Sequence, residues 1–394
     1  MKKLAWYVAV ALLLAVVSPR VMAAQGGRPD LLVDDDKVQC PTATFTSIQD
    51  AINAGNPGAT IRVCPGVYAE QLSISKSLSI QGDSGAVLLP GTLTVNATGS
   101  SGGAIAAAIL VRNAVNVEIS GLIVDTANSS ITSCSTDLIG ILFQNASGAI
   151  EHNAVRNAKL STALNGCQSG NGIVVQTLGV SGGLFQVRIT DNSVHDYQKN
   201  GITANESGTE ANVVGNVVTG SGPNPAIAQN GIQIGFGGTG RIERNTVAGN
   251  IDSSCVSPTN CTANGTGILV FESDNVRVEG NSVVGNQVGI FTNGNHTTID
   301  ANGVSDSVTL VGIDLAGDNG VASANDVTSS GQAATFLEGN DNRVLGNEFT
   351  DAPVGILISS GTVGNVHSGN SYFAVLVKVQ DPLAQKMVRV GPKR

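Results

Sequence analysis

Aromatic residues, charged residues and long apolar runs are all scarce in this chain of 394 residues. Phe, Tyr and Trp make up 4% of the sequence, and charged residues make up 13%. Glycine is abundant, with 49 residues, and Val, Ile, Thr, Ser and Asn are common. This composition is typical of strands and turns and gives little support to helices. Apart from the short run at residues 9–17, no stretch is long and apolar enough for a membrane span.

Basic residues are outnumbered, since 21 Lys and Arg face 30 Asp and Glu, giving a formal charge of −9. Nucleic-acid partners need a basic footprint, so this balance argues against them. The glycine-rich run Gly235–Gly240 lacks the following helix that phosphate-binding and dinucleotide-binding loops require. There is no Ser-His-Asp arrangement, and no Cys-x-x-Cys pair that would indicate zinc.

The first 24 residues have the features of an export signal. Lys2 and Lys3 precede the short apolar run, and Ala23 and Ala24 are small residues of the kind that signal peptidase prefers. Removing this segment takes the formal charge from −9 to −12. We therefore expect an exported protein, periplasmic or extracellular, with no membrane association after the signal is removed.

Asparagine recurs along the chain at intervals of 21 to 39 residues, usually with a hydrophobic residue two places later. The members are Asn153, Asn192, Asn216, Asn245, Asn281, Asn302, Asn325, Asn347 and Asn370. Gly-Ile-type dipeptides such as Gly231-Ile232 precede these asparagines by about two short strands. Self-similarity at this period predicts one solenoid, in which each coil buries its core against its neighbours.

Period-two alternation predicts which side chains of each coil point inward. The Gly-Ile strands have an in–out–in pattern, as in Ile232-Gln233-Ile234, and the residue three before each asparagine is apolar. The asparagine itself is predicted at a bend with a left-handed backbone, where amides of successive coils can bond to each other.

The N-terminal part of the body has a different pattern. Residues 46–54 are predicted as a helix that is capped by Thr46 or Ser47 and covers the first coil. Strands are predicted over 60–63, 71–74, 78–80 and 93–95.

Six cysteines follow the signal, an even number that suggests disulfides in an oxidising compartment. Fifteen pairings are formally open. Loops that leave neighbouring coils bring cysteines close in sequence together, so we predict three bonds. They are Cys40–Cys64, Cys134–Cys167 and Cys255–Cys261.

The segment Phe45–Gly82, and within it Pro65-Gly66-Val67-Tyr68-Ala69-Glu70, resembles the opening of exported right-handed parallel β-helix proteins of the pectin-lyase-like superfamily. The later Gly-Ile and Asn-x-Val coils are similar to the parallel-β-helix repeats of that superfamily, so the resemblance covers nearly all of the mature chain. It implies an all-β, right-handed parallel β-helix with a short N-terminal capping helix. The catalytic motifs of its pectin methylesterases, polygalacturonases, pectate lyases and alginate epimerases are missing, so the Tyr68/Glu70 pair is interpreted as structural.

The predicted organisation is a signal peptide (1–24), an irregular lead-in (25–45), the β-helix (46–380) and a basic C-terminal tail (381–394). A monomer is expected.

Aligning the coils on the asparagines produces two outward columns of charged residues. Three carboxylates, two places before the asparagine, stand on consecutive coils about 4.8 Å apart: Glu243, Glu279 and Asp300. Arginines stand four places before it, among them Arg188, Arg241 and Arg277. One interpretation is a solvated face whose ion pairs contribute about 0.2–1 kcal/mol each. The other is a polysaccharide groove in which arginines hold uronate carboxylates and the clustered acids perform catalysis.

Two further sets were candidates. The first is a cluster on turns of adjacent coils, comprising Arg156, His195, Tyr197, Lys199 and Glu206. It is either a polar surface turn or a site at which Arg, His, Lys or Tyr side chains catalyse β-elimination of a uronate. The second comprises outward amides and rings on the Gly-Ile strands that suit sugar faces or pack under a loop: Gln144, Gln176, Gln233, Phe271 and Phe291.

These patterns predict an exported β-helix protein that binds carbohydrate, preferably an acidic polysaccharide, without a recognisable catalytic motif. The alternative is a lyase, hydrolase or C5-epimerase acting on a uronate polymer. In that case Glu243, Glu279 and Asp300 are the predicted catalytic residues, and Arg188, Arg241 and Arg277 bind substrate. No cofactor or resident metal is expected, with a calcium ion shared by the three carboxylates as the alternative.

Overall fold

The computed structural model describes residues 31–255, 261 and 264–380. The predicted signal peptide and basic tail lie outside these residues. The described helices, of seven and three residues, are too short to cross a membrane. Nearly all other regular structure is β-strand, and successive coils pair in parallel.

From Ala59 onward, successive coils contribute strands to three parallel sheets, which we name A, B and C in chain order. Sheet A consists of Leu31–Val33, Ala59–Val63, Leu78–Gly82, Val117–Ser120, Gly148–Glu151, Phe185–Thr190, Thr209–Val214, Thr239–Glu243, Arg277–Glu279, Thr298–Asp300, Val321–Ser323, Arg343–Leu345 and Val366–Ser368. Sheet B contains Gly66–Tyr68, Ala86–Leu88, Ile123–Asp125, Ala154–Arg156, Ser193–His195, Val217–Asn224, Thr246–Asp252, Ser282–Val284, Gly303–Ser307 and Asp326–Ser330. Sheet C contains Leu72–Ile74, Ala104–Arg112, Thr136–Gln144, Asn171–Gln176, Asn200–Asn205, Asn230–Gly235, Thr266–Phe271, Val288–Thr292, Val311–Leu315 and Ala333–Leu337.

The last two coils join sheets B and C through long strands. Glu348–Ile358 and Ser371–Gln380 each run through both sheets without a break. In the final strand Phe373 is 72% exposed and Leu376 is 85% exposed. The last coil therefore presents apolar side chains to solvent.

The interior is built from columns of like residues, as the alternation predicted. Ile173, Ile202, Ile232 and Ile268 are aligned in successive strands of sheet C and are all fully buried. The glycine before each of these isoleucines is required where sheets B and C meet. A Cβ at Gly231 would lie 2.3 Å from Val247 Cγ1 and 2.6 Å from the carbonyl oxygen of the next such glycine.

The recurring asparagines form a continuous ladder of hydrogen bonds inside the bend between sheets A and B. Asn281 Oδ1 accepts bonds from both the backbone N–H and the amide of Asn245, at 2.9 and 3.0 Å. Asn281 Nδ2 donates to Asn302 Oδ1 and to the Ile242 carbonyl, both at 2.9 Å. Equivalent amide links connect all nine asparagines from Asn153 to Asn370. The prediction of stacked amides is confirmed.

The left-handed backbone at this bend lies one residue earlier than predicted. The residue before the ladder asparagine has a positive φ, for example 56° at His152, 52° at Arg244 and 53° at Ala301. At other coils this position is glycine, as at Gly280, where φ is 63°. The asparagine side chain is held inward for the ladder, so its neighbour makes the turn.

The first coil is covered by the helix Ile48–Ala54, which confirms the predicted cap. Ser47 is its N-cap, and Ile48, Ala51 and Ile52 are buried against the core. Glu70 accepts hydrogen bonds from Ser47 Oγ at 2.7 Å and from the first backbone N–H groups of the helix.

Tyr68 is buried, and its hydroxyl donates to the Cys64 carbonyl at 2.8 Å. Together with the Glu70 contacts, this makes both residues of the Pro65–Glu70 segment structural, as interpreted from the sequence.

Two N-terminal predictions were wrong in detail. The lead-in is not wholly irregular, because Leu31–Val33 pairs in register with Ala59–Val63 and begins sheet A. Residues 93–95 are not a strand. Ala97–Thr98 instead pairs antiparallel with Ala104–Arg112, so the chain forms a hairpin over sheet C where a strand within a coil was expected.

All three predicted disulfides are present: Cys40–Cys64, Cys134–Cys167 and Cys255–Cys261. Each joins cysteines from the same coil or adjacent coils, which is the proximity that the solenoid model predicted.

We expect Asn281→Ala to destabilise the fold by about 3–5 kcal/mol, because buried donors and an acceptor on neighbouring coils lose their partners at about 1–3 kcal/mol each. The same change at Asn370, on the last described coil, leaves its neighbours closer to water and should cost less than half as much. Thermal unfolding followed by circular dichroism provides the comparison. Equal losses of Tm for the two variants would contradict the ladder's stabilising role.

Candidate functional site

The two predicted charged columns exist on the outer surface of sheet A. Glu243, Glu279 and Asp300 are aligned residue to residue in consecutive strands, and Arg241 and Arg277 are aligned beside them. Arg188 lies further along the arginine column, with Asn212 between it and Arg241. The geometry of the columns is therefore as expected, and the proposed catalytic and substrate-binding roles remain predictions.

These carboxylates already have partners on the protein. Glu243 lies 3.6 Å from Arg241 and 3.7 Å from Arg244, and the Arg277 guanidinium donates to Glu279. This hydrogen bond raises the pKa of Arg277. Asp300 accepts a hydrogen bond from Ser323 Oγ. Charges on this face are mutually compensated, an arrangement typical of a solvated sheet surface.

The second predicted set is divided between two sides of the solenoid. Arg156 and His195 lie side by side on sheet B. Arg156 donates to Asp125 at 2.7 Å, and His195 Nδ1 lies 2.7 Å from Asp196 Oδ2. Arg156 is thus in an ion pair, and His195 is in a polar contact with its chain neighbour.

The remaining members of that set serve other purposes. Tyr197 is fully buried, and its hydroxyl donates to Asn250 at 2.6 Å in the interior. Lys199 and Glu206 flank the strand Asn200–Asn205 and line a cleft on the outer side of sheet C. The predicted cluster is therefore not a single site.

The cleft has a volume of about 440 Å³ and extends across the strands of five successive coils. Its floor is rich in amides, with Asn171, Gln176, Asn200, Asn205 and Gln233 among the lining side chains. The third predicted set therefore contributes two cleft residues, Gln176 and Gln233. One wall comes from the hairpin that contains residues 99–105, and another from the loop bearing Cys134.

Three lining side chains carry buried polar atoms that have no hydrogen-bond partner among the described residues. They are Asn171 Oδ1, Gln176 Nε2 and Thr203 Oγ1. The residues are only 6%, 8% and 3% exposed. A buried polar group without a partner costs about 1–3 kcal/mol, so the residues that line this cleft include an unsatisfied acceptor, an unsatisfied donor and an unsatisfied hydroxyl.

Asp137 lies on one wall of the cleft. Asn171 Nδ2 donates to both of its carboxylate oxygens, at 2.9 and 3.0 Å, which favours the ionised form. Burial outweighs these bonds and raises the pKa of Asp137 to about 7. The carboxyl group therefore changes charge near neutral pH.

Lys199 lines the cleft two coils further along the solenoid axis. Its Nζ donates to the Ala228 carbonyl at 2.8 Å. Burial lowers the pKa of Lys199 to about 8, and the negative charge of Asp252 partly offsets this effect. The ammonium form still dominates at neutral pH.

An aromatic ring is placed at one end of the cleft by an unusual backbone conformation. Phe236 has a φ of 55°, in the left-handed region that bulky residues rarely adopt. Its ring packs edge to face on Phe271, with 5.4 Å between centroids. A Cβ at Gly235, which precedes Phe236, would lie 2.9 Å from Asn205 Oδ1 and 3.1 Å from Gln233 Nε2. The Gln233 amide donates to Asn205 at 3.0 Å.

Comparisons with known proteins agree on the architecture. A family model described as "Periplasmic copper-binding protein (NosD)" matches residues 228–380. The Dettilon tailspike protein is similar in structure, with a TM-score of 0.57 and 17% identity over 83% of this chain and 65% of the tailspike. The chain therefore spans just under two thirds of the tailspike.

Two epimerases are also similar in structure. The periplasmic alginate epimerase AlgG has a TM-score of 0.52 and 14% identity over 86% of this chain and 81% of that one. The A-module of an Azotobacter vinelandii mannuronan C-5 epimerase has a TM-score of 0.50 and 14% identity over 92% and 98%. No curated protein matches the sequence.

The chain has the right-handed parallel β-helix fold. At these identities the likeness establishes the fold, and the site must be argued from the residues of this β-helix.

Sequence reasoning missed Asp137, Asn171 and Thr203 of this β-helix. A signal for part of the cleft was present, because Asn-Gly-Ile occurs three times, beginning at Asn171, Asn200 and Asn230. These asparagines are aligned on the outer side of sheet C. The environment of Asp137 depends on the neighbouring coil and could not be seen in its own segment.

The stability of this β-helix should depend on the protonation of Asp137. Because its folded pKa is raised to about 7 from an ordinary value near 4, the folded state binds the proton more tightly than the unfolded chain. The resulting stabilisation of the folded state is fully present below about pH 4 and is lost as pH rises through about 7. We expect the Tm of the natural protein, relative to that of Asp137→Asn, to rise as pH is lowered from 8 to 5.

The control is Asp326→Asn, at an exposed carboxylate on sheet B. Its Tm should stay parallel to that of the natural protein over the same pH range. A pH-independent difference between Asp137→Asn and the natural protein would contradict the assignment.

Proposed function

We propose that this β-helix is an exported carbohydrate-binding protein whose ligand occupies the cleft on sheet C. The observation that carries the proposal is that three residues with unpartnered buried polar atoms, Asn171, Gln176 and Thr203, line one cleft. A sugar suits them because each hydroxyl group both donates and accepts hydrogen bonds.

The shape and lining of the cleft support a saccharide chain as the ligand. The cleft crosses five coils that are about 4.8 Å apart, so it is longer than a single pyranose. Amide side chains cover its floor, and Phe236 lies at one end, where an aromatic face can stack on a sugar ring. Such a combination of amides with one ring is suited to a hydroxyl-rich polymer.

An acidic polysaccharide remains the preferred ligand class. Lys199 is a cation within the cleft, and its ammonium group forms no ion pair with a described residue. A uronate carboxylate can accept hydrogen bonds from the two ammonium protons that the Ala228 carbonyl does not use.

Export is supported by three disulfides that involve all six cysteines. Such bonds persist in oxidising compartments, which fits the periplasm or the cell exterior. We propose that the protein acts there as a monomer, with neither nucleic acid nor membrane as a partner.

The alternative function is modification of a uronate polymer. Two shifted pKa values favour this alternative, because the carboxyl group of Asp137 and the amine of Lys199 line one cleft. Two structurally similar proteins are named as epimerases. In this alternative the catalytic residues are either the predicted Glu243, Glu279 and Asp300, with Arg188, Arg241 and Arg277 holding substrate, or groups of the cleft.

Copper binding, which the name of the matching family suggests, does not fit the matched segment. Copper prefers thiolate, thioether and imidazole ligands. Residues 228–380 contain no methionine, and their two cysteines are joined to each other. The two histidines, His296 and His367, are exposed at a turn after sheet C and in the last strand of sheet A. We therefore propose no copper role.

Carbohydrate binding is tested first on a glycan array and then by calorimetry with the bound glycans. Gln176→Leu and Thr203→Val should each weaken binding about tenfold or more, since a hydrogen bond to the ligand is lost. Neither change should lower the Tm, because each removes a buried polar atom that has no partner in the free protein.

The matched control is Thr335→Val. Thr335 Oγ1 is likewise buried without a partner among the described residues, but its side chain points into the core, in line with Ile313. Binding should be unchanged in this variant. A loss equal to that of Thr203→Val, or no array binding at all, would overturn the proposed function.

The binding proposal also predicts no unsaturated products and no new reducing ends from pectate or alginate, with or without calcium. Product formation would establish the alternative function. Its loss in the triple variant Glu243→Gln, Glu279→Gln, Asp300→Asn would place catalysis on sheet A. If product formation survives in the triple variant but is lost in Asp137→Asn, catalysis takes place in the cleft.

A further inference from the structure

The charges along the cleft are few and of opposite sign. The charged side chains among its described lining residues are Asp137, Lys199 and Glu206. The strand Asn171–Gln176, between the coils of Asp137 and Lys199, contributes only uncharged groups to the cleft. The cleft therefore has one cationic position and two acidic ones.

These charges are well separated from one another. Asp137 and Lys199 are two coils apart along the axis, about 10 Å. Lys199 and Glu206 stand at opposite ends of the strand Asn200–Asn205, roughly 20 Å apart. A carboxylate bound at Lys199 would thus lie far from both acidic side chains, whereas carboxylates elsewhere along the cleft would approach one of them.

The amine of Lys199 is held in place by the protein. Its Nζ donates to the Ala228 carbonyl, and the nearby Asp252 uses a carboxylate oxygen to accept from the backbone and hydroxyl of Ser254 at 2.9 and 2.6 Å. The ammonium group has two protons left for a ligand. Partial burial strengthens the attraction to an anion, because the local dielectric is lower than that of water.

We propose that the cleft selects a sparsely charged saccharide, with a single acidic group at Lys199 and uncharged residues beside it, over a homopolymer of uronates. This inference rests on the proposed function and specifies its ligand. A homopolyuronate would bring additional carboxylates towards Asp137 or Glu206, where like charges repel. The unpartnered atoms of Asn171, Gln176 and Thr203 lie between these positions and suit hydroxyl or amide groups.

The test uses three forms of trigalacturonate that differ in the number of methyl-esterified carboxylates: the free triacid, a dimethyl ester with one carboxylate, and the uncharged trimethyl ester. Binding to the full chain is measured by calorimetry at pH 7.5 and low salt. The monoanionic ester should bind about tenfold more tightly than either of the other two. Lys199→Met should remove its advantage over the uncharged ester, and Lys199→Arg should retain part of it.

Two further variants separate the contributions. Asp137→Asn should improve binding of the triacid relative to the monoanionic ester. Lys159→Met is the matched control, because Lys159 pairs with Asp196 at 3.0 Å outside the cleft lining, and it should change none of the affinities.

Tightest binding by the triacid, equal binding of all three forms, or binding of none would overturn this inference. The glycan array tests the proposed function separately. If another kind of glycan binds and depends on Gln176 and Thr203, the cleft is still the binding site although this inference has failed.

Discussion

The structure depends on the vertical register of its coils, and the buried asparagine ladder is the interaction that makes this register specific. An inward-facing amide in a β-solenoid is costly unless both its oxygen and its nitrogen find partners. Here each amide between the ladder's ends obtains them from the equivalent asparagines above and below and from a backbone carbonyl of the preceding coil. A slip of one residue would break these bonds and would also turn every inward side chain outward. Apolar columns alone would discriminate less sharply against such a slip.

Much of this architecture could be predicted from the sequence, because the repeat itself encodes the register. Aligning the chain on its asparagines placed Glu243, Glu279 and Asp300 in one column and Arg241 and Arg277 in another, and the strand pairing agrees. The disulfides followed from the same logic. Details within a coil were harder. The left-handed residue precedes the asparagine because the amide cannot both make the turn and reach the ladder.

The cleft could not be predicted in the same way, since it depends on side chains from several coils and on segments outside the repeat. Asp137 owes its environment to Asn171 of the next coil and to burial by neighbouring loops. The hairpin around Ala97–Thr98, which forms part of the wall, replaced a predicted strand. Contacts between coils therefore determine the chemistry of this face, whereas local alternation determines only which side chains point outward.

The two polar faces of the solenoid differ in how their groups are satisfied. On sheet A the carboxylates of Glu243 and Glu279 are paired with arginines that are about half exposed, and surface pairs contribute about 0–1 kcal/mol each. On sheet C, buried polar atoms stay unpartnered at a cost of about 1–3 kcal/mol each. Three of these atoms belong to residues that line one cleft, which is why we place the ligand there.

Because of the ladder, a coil can vary in length without changing its position in the stack. Consecutive asparagines are 39 residues apart between Asn153 and Asn192 but only 21 between Asn281 and Asn302, yet the amide links are continuous. Extra residues leave the stack as loops, and one such loop carries Gln168 to the edge of the cleft, where Cys134 is bonded to Cys167 of the same loop. Insertions and deletions at these exits can therefore remodel recognition during evolution while the scaffold remains unchanged, so relatives with the same coils are free to diverge in what they bind.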